Sequence, residues 1–223
     1  MNESVTAVLF DVDGTLVDSN YLHVVTWWEA FGQAGYDVAM ADIHRAIGMG
    51  SDQLLDKLLP GDRGRDGDQG IRDAHSALYS TYWSRLRPLR GAAGLLRACK
   101  KRGLRVVLAS SADEREFNAL RAALDAEDAI DEATFAGEVE RSKPAPDLVL
   151  LALDKAGVPA GQAVFVGDTV WDVQACRKAG VRCIGLLSGG IGRDELMNAG
   201  AAQVYDGPAD LLNGFPGALL GPG

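Results

Sequence analysis

Short apolar runs rich in β-branched residues recur along the chain at Val5–Phe10, Leu104–Ala109, Ala163–Val166 and Val181–Leu187, each followed by a polar or glycine-containing turn. Runs this short and this continuously apolar predict strands buried on both faces of a parallel sheet. Between them the spacing of apolar residues turns helical, over Ala92–Arg102, Asp113–Leu124, Ala145–Ala156 and Trp171–Ala179. The alternation predicts an α/β fold with a doubly wound, Rossmann-like parallel sheet.

The stretch between the first and second strands carries helical patterns and no convincing strand. Leu22, Val25, Trp28 and Phe31 recur every three residues, Leu54, Leu55, Leu58 and Leu59 follow Ser51 as an N-cap, and Ile71, Ala74, Leu78, Tyr82 and Leu86 keep a spacing of three to four. A small helical bundle accounts for all three patterns. The predicted division is a core of residues 1–17 and 90–223 with an inserted helical cap over 18–89. Linkers near Leu16–Ser19 and Pro88–Gly91 are the expected hinges. Pro60–Gly70 is expected to be a mobile loop, because it has no apolar anchor beyond its proline, and Gly214–Gly223 a frayed terminus.

Apolar residues make up 47% of the 223-residue chain and charged residues 24%, an ordinary globular composition. The formal net charge of -9 argues against attraction to nucleic acid or an anionic membrane surface, so an anionic ligand must be captured locally, by a metal ion and a well-placed cation. Cys99, Cys176 and Cys183 have neither metal-type spacing nor an even count, and are expected to be reduced. With no basic-then-apolar leader and no long apolar window, the expectation is a cytoplasmic protein.

Four motifs stand at strand ends. Asp11-Val12-Asp13-Gly14-Thr15 closes the first strand, where ligands of an open parallel sheet bind. Of its two carboxylates, one can attack phosphorus while the other protonates the leaving oxygen and then activates water. Magnesium is the cation that allows both to ionise together, and Gly14 suits a turn that brings backbone N–H groups near a phosphate. Ser110-Ser111 follows the second strand and precedes a helix, a cradle for phosphate oxygens. Lys143, in Arg141-Ser142-Lys143-Pro144-Ala145-Pro146, is a point charge for a phosphoryl group, and a cation at a helix start opposes the helix dipole unless it has another purpose. Asp168 and Asp172, in Gly167-Asp168-Thr169-Val170-Trp171-Asp172, complete an oxygen-only magnesium shell, one directly and one through water or by orienting Lys143.

In this order and over essentially the whole chain, the motifs resemble the haloacid dehalogenase superfamily, in its branch with a helical cap after the first strand. The resemblance implies Asp11 as nucleophile and Asp13 as general acid/base. Gly14, Thr15, Ser110, Ser111 and Lys143 would meet the phosphoryl group. Magnesium would be held by Asp11, Asp13 (through its backbone carbonyl) and Asp168, with Asp172 in support. The implied activity is magnesium-dependent hydrolysis of a small phosphorylated metabolite, by a monomer or homodimer. Asp13 speaks against dehalogenases, which lack it. A β-phosphoglucomutase-like isomerase is the nearer rival, but its cap arginine is missing after Gly48-Met49-Gly50-Ser51, its Glu-Asp pair is replaced by Gly167-Asp168, and Asp113 and Glu114 would repel a second phosphate. A non-catalytic regulator on the same fold is the other alternative. His23 and Arg45 are the expected cap contacts to substrate, with Trp27 and Trp28 expected in packing.

Overall fold

The computed structural model describes residues 4–214. Six strands form one parallel sheet: β1 (Ala7–Phe10), β2 (Arg105–Ala109), β3 (Glu132–Thr134), β4 (Ala163–Gly167), β5 (Arg182–Leu186) and β6 (Gln203–Tyr205), in the order β3-β2-β1-β4-β5-β6. The order reverses beside β1, whose Phe10 lies opposite Leu108 of β2 and Val166 of β4. A crevice therefore opens at the carboxyl ends of β1 and β4. The edge strands β3 and β6 were not anticipated from the sequence. Each has three residues with a single buried side chain, Thr134 and Val204, too little for an apolar run to register.

The insertion after β1 carries four helices, α1 (Asn20–Gln33), α2 (Met40–Ala46), α3 (Ser51–Leu58) and α4 (Asp68–Ser80). They bury a core of their own that includes Trp27, Phe31, Ile43, Leu54, Leu55 and Ile71. Several expectations change here. In α1 the buried face is His23, Val24, Trp27, Ala30 and Phe31, while Val25 and Trp28 are 41% and 45% exposed. A spacing of three slips back by about 60° per step at 3.6 residues per turn, so a row at that spacing cannot stay on one face. The N-cap of α3 is Gly50 rather than Ser51, and α4 turns Ile71, His75 and Tyr79 inward and stops before Tyr82. The segment 60–70 is anchored ionically: the Arg63 guanidinium reaches Asp56 at 2.8 Å and Asp68 at 3.0 Å, and α4 already begins at Asp68. The tail 215–223 lies outside the described residues.

The remaining helices are α5 (Ala92–Lys101), α6 (Glu114–Leu124), α7 (Asp147–Ala156), α8 (Val170–Ala179), α9 (Arg193–Ala199) and α10 (Pro208–Gly214). Side chains of β1 alternate between two clusters. Val8 and Phe10 join Leu95, Leu96, Phe117, Leu120 and Leu211 from α5, α6 and α10; Ala7 and Leu9 join Leu148, Ala152, Val173 and Leu196 from α7, α8 and α9. Burial on both faces explains the unbroken apolar runs. Among the described residues no helix is long and apolar enough to cross a membrane.

The two segments joining the helical insertion to the sheet run side by side, with Asp18 N–H donating to Arg87 O at 3.0 Å and Leu89 N–H to Leu16 O at 2.8 Å. The second ends at Gly91, whose φ is +87° and where a Cβ would lie 2.6 Å from Cα of Ala209. Gly91→Ala is expected to lower stability by about 2–4 kcal/mol, from left-handed strain plus the clash with α10. The measurement is a urea midpoint shift at unchanged slope.

Candidate active site

Asp11 is the first residue past β1, and its N–H still donates to Val166 O at 2.9 Å, so the sheet ladder fixes its backbone. Asp168 occupies the same place after β4, and Ser110 after β2. All three are buried at the crevice that the strand order creates.

Lys143 enters between them from the loop before α7. It is 0% exposed, and its Nζ lies 2.6 Å from Asp11 Oδ1 and 2.8 Å from Asp172 Oδ1. Burial alone would discharge the ammonium, but Asp11 and Asp172 outweigh it and hold the group above the ordinary lysine range. Asp172 has a second task. Its Oδ2 accepts the Thr169 hydroxyl at 2.6 Å and the Thr169 N–H at 3.1 Å, closing a capping box at the start of α8. One carboxylate thus caps a helix with one oxygen and orients Lys143 with the other.

Asp168 accepts the Thr15 hydroxyl at 2.7 Å and the Asn20 amide at 2.8 Å. Burial, with Asp172 close by, pushes its carboxyl up to about 7. Asp11 is likewise raised by burial, with Lys143 opposing. Oxygens of Asp11, Asp168 and Asp172 come within 4.8 Å of one another, so three buried carboxylates face one ammonium. Beside them Asn20 Oδ1 is buried without a hydrogen-bond partner. An all-oxygen donor set short of positive charge fits a hard divalent cation such as magnesium.

The Asp13 carboxylate belongs to a second cluster. Its Oδ1 accepts the Ser19 hydroxyl at 2.5 Å and lies 3.2 Å from His23 Nε2, which is also 3.4 Å from Glu116 Oε1. Burial would raise Asp13, but the His23 and Ser19 hydrogen bonds hold it below the usual carboxylate range. Burial lowers His23, and Glu116 and Asp13 more than reverse this. Burial pushes Glu116 up to about 8 and, with the neighbouring His23 charge, drives His75 well down. His75 Nε2 lies 3.2 Å from His23 Nδ1, so the His23 ring bridges His75 on one side and Asp13 on the other. The Tyr79 ring stacks on His23 and Trp27 on His75, both at 3.9 Å between centroids.

A cavity of about 390 Å³ opens over these groups, lined at its floor by Asp11, Asp13, Ser111 and Lys143 and on the helical side by His23, Trp27 and His75. Other expected residues sit differently. The Gly14 N–H donates to Val17 O at 2.8 Å, and the Thr15 hydroxyl is spent on Asp168, so this turn shapes the acidic cluster instead of facing the cavity. Ser110 Oγ accepts the Ala112 N–H at 3.0 Å and Ser111 Oγ donates to Gly48 O at 3.4 Å. Glu114 does not line the cavity, whereas Asp113 does. Arg45 is placed away from the cavity, exposed and paired with Glu195 of α9 at 2.7 Å. The buried side of α2 carries Ile43 and Ala46, which turns Arg45 outward. Sequence reasoning missed Asn20, His75 and Glu116. His75 had a signal: it lies four residues from both Ile71 and Tyr79, on the inward face of α4.

A model of the haloacid dehalogenase-like hydrolases matches residues 5–180. The chain belongs to this family. Among curated relatives, it is 32% identical to the phosphoglycolate phosphatase of Rhodospirillum rubrum, over 94% of this chain and 91% of that one. It is 31% identical to the chloroplastic protein SUPPRESSOR OF QUENCHING 1 of Arabidopsis thaliana over 91% of this chain, which spans 20% of that longer protein. Among solved structures, a hydrolase from Pseudomonas syringae superposes with a TM-score of 0.89 at 35% identity, covering 94% of this chain and 97% of that one. In haloacid dehalogenase-like terms, helices α1–α4 stand where such hydrolases carry a cap.

Two outcomes follow from the geometry. Asp168→Asn removes one of three mutually repelling carboxylates, and Asn20 can flip its amide to offer its unpartnered Oδ1. The variant should melt about 2–4 °C higher than wild type in EDTA, for a gain of about 1 kcal/mol, and should lose the rise on adding magnesium that is expected of wild type. Arg45→Ala should leave kcat/KM for a phosphomonoester within about twofold, since an exposed ion pair away from the cavity carries little.

Proposed function

We propose that this phosphatase hydrolyses a small phosphate monoester with magnesium, through a phosphoryl group carried on Asp11. The observation that carries the reading is the buried Lys143 ammonium 2.6 Å from Asp11 at the cavity floor. It neutralises the carboxylate that meets an incoming dianion, while Asp13 is engaged with the proton carriers Ser19 and His23. That difference in surroundings is the ground for assigning attack to Asp11 and proton transfer to Asp13.

In the first half-reaction a carboxylate oxygen of Asp11 bonds to phosphorus as the P–O bond to the alcohol breaks. The alcohol oxygen leaves with the single proton that Asp13 and His23 share along their 3.2 Å contact. In the second, the Asp13–His23 pair takes a proton from water, whose oxygen attacks phosphorus. Phosphate departs, and the carboxylate of Asp11 is restored. Lys143 stays beside Asp11 throughout and balances the phosphoryl oxygens. Asp11, Asp168 and the backbone carbonyl of Asp13 would hold magnesium, with Asp172 in support. The ion would supply further positive charge at the site and keep the carboxylates ionised. Hydrolysis is preferred to mutase-type transfer because the Asp113 carboxylate lines the cavity near Ser111, where a second phosphate would need a cation.

Asp11→Asn should reduce phosphate release from a metabolite panel by about a thousandfold or more. EDTA should abolish release by wild type, and excess magnesium should restore it. Undiminished release by the variant would overturn the role of Asp11, and undiminished release in EDTA that of magnesium.

A further inference from the structure

The cavity changes character between floor and mouth. At the floor the phosphoryl group meets Lys143 and the metal-ready carboxylates. Around the mouth stand Asp52, Asp73, Asp113 and Glu140 against one guanidinium, that of Arg72. Three of these carboxylates accept hydrogen bonds from neutral donors: Asp52 from the Ser142 hydroxyl at 2.8 Å, Asp73 from the Gln69 amide at 2.7 Å, and Asp113 from the Glu116 N–H at 2.9 Å. Neutral donors leave the negative charge in place. Glu140 adjoins Arg141, which already pairs with Asp147 at 2.9 Å. Arg72 donates at 2.9 Å to the same Gln69 whose amide holds Asp73, so its charge sits next to a carboxylate.

Every phosphomonoester brings the same phosphoryl dianion to the floor, so the mouth discriminates among alcohols. We infer that the alcohol part of the substrate is uncharged or cationic, and that an alcohol bearing a carboxylate or a second phosphate is disfavoured. The inference rests on the phosphatase reading and narrows its substrate class. A unit charge roughly 7 Å away through water-rich surroundings changes the affinity of a charged group by about threefold to tenfold. An excess of three carboxylates at the mouth therefore amounts to at least about tenfold against an anionic alcohol.

Three phosphomonoesters with two-carbon alcohols test this at matched size: 2-hydroxyethyl phosphate, phosphoethanolamine and phosphoglycolate. For each, kcat/KM is measured with wild type, and affinity with Asp11→Asn by calorimetry in magnesium. The neutral and cationic esters should exceed phosphoglycolate at least tenfold in both quantities at low ionic strength, and the gap should narrow in 0.5 M salt. Asp73→Asn combined with Asp113→Asn, which keeps a competent N-cap on α6, should improve phosphoglycolate relative to 2-hydroxyethyl phosphate by about threefold or more. Phosphoglycolate equal to or better than 2-hydroxyethyl phosphate overturns the inference, as does a ratio that the double variant leaves unmoved, or failure of all three to bind. The expected affinity order with no phosphate release overturns the phosphatase reading alone; release with the order reversed overturns this inference alone.

Discussion

The Lys143 ammonium lies 2.6 Å from Asp11 and 2.8 Å from Asp172, and through these contacts it joins segments 132 and 29 residues apart in sequence. A fully buried cation is tolerated only where carboxylates compensate for lost hydration, and these carboxylates are tolerated only because the cation is there. Removing one partner from such a pair typically costs about 3–5 kcal/mol. The arrangement therefore constrains the loop before α7, the start of α8 and the end of β1 together. It also falls short of neutrality, because Asp168 shares the same pocket without a cation of its own. That shortfall fits the cluster to a divalent ion.

The helical insertion is held differently. It has a core of its own and meets the sheet domain through polar contacts, His44 to Gly189 O at 2.8 Å, Trp171 to Arg45 O at 3.0 Å and Ser142 to Asp52 at 2.8 Å, and through Tyr79 of α4, which is buried in the same cluster as Phe10 and Phe117. Glycines permit the close approach. At Gly48, with φ +94°, a Cβ would come within 2.8 Å of the Thr169 side chain. These contacts share the interface with the apolar burial of Tyr79 and Leu22. Into this interface α1 delivers His23, only a few residues beyond the linker. The residue that meets Asp13 at 3.2 Å thus comes from the inserted helices, while Asp13 itself belongs to the strand end.

The parallel sheet was legible because its central strands are buried on both faces, which forces continuous apolar runs that no surface strand shows. The acidic motifs were legible for a related reason. Asp11, Asp168 and Ser110 interrupt those runs at their carboxyl ends, where a buried polar group needs a purpose. Lys143 stood out against the helix dipole. The insertion resisted the same reasoning, because a short helix packed against partners of unknown direction does not reveal its inward face, and the three-residue spacing in α1 selected exposed Val25 and Trp28. Arg45 and His75 show the same difficulty from opposite sides. Both lie on helices with plausible patterns, and only the packing of α2 against α1 and α3 and of α4 against α1 decides which one reaches the cavity.

A chain of net charge -9 that acts on anions must separate capture from repulsion in space. Here the separation runs along one cavity. Positive charge is concentrated at the floor, buried where its field is least screened, and negative charge is spread around the water-exposed mouth, where each carboxylate acts weakly. A phosphoryl group at the floor faces one buried ammonium, whose attraction is less screened than the repulsion of the exposed carboxylates. A second anionic group on the same molecule remains at the mouth, where only the guanidinium of Arg72 offsets the repulsion. The same electrostatics that let the site accept one phosphate set it against a second charge of that sign.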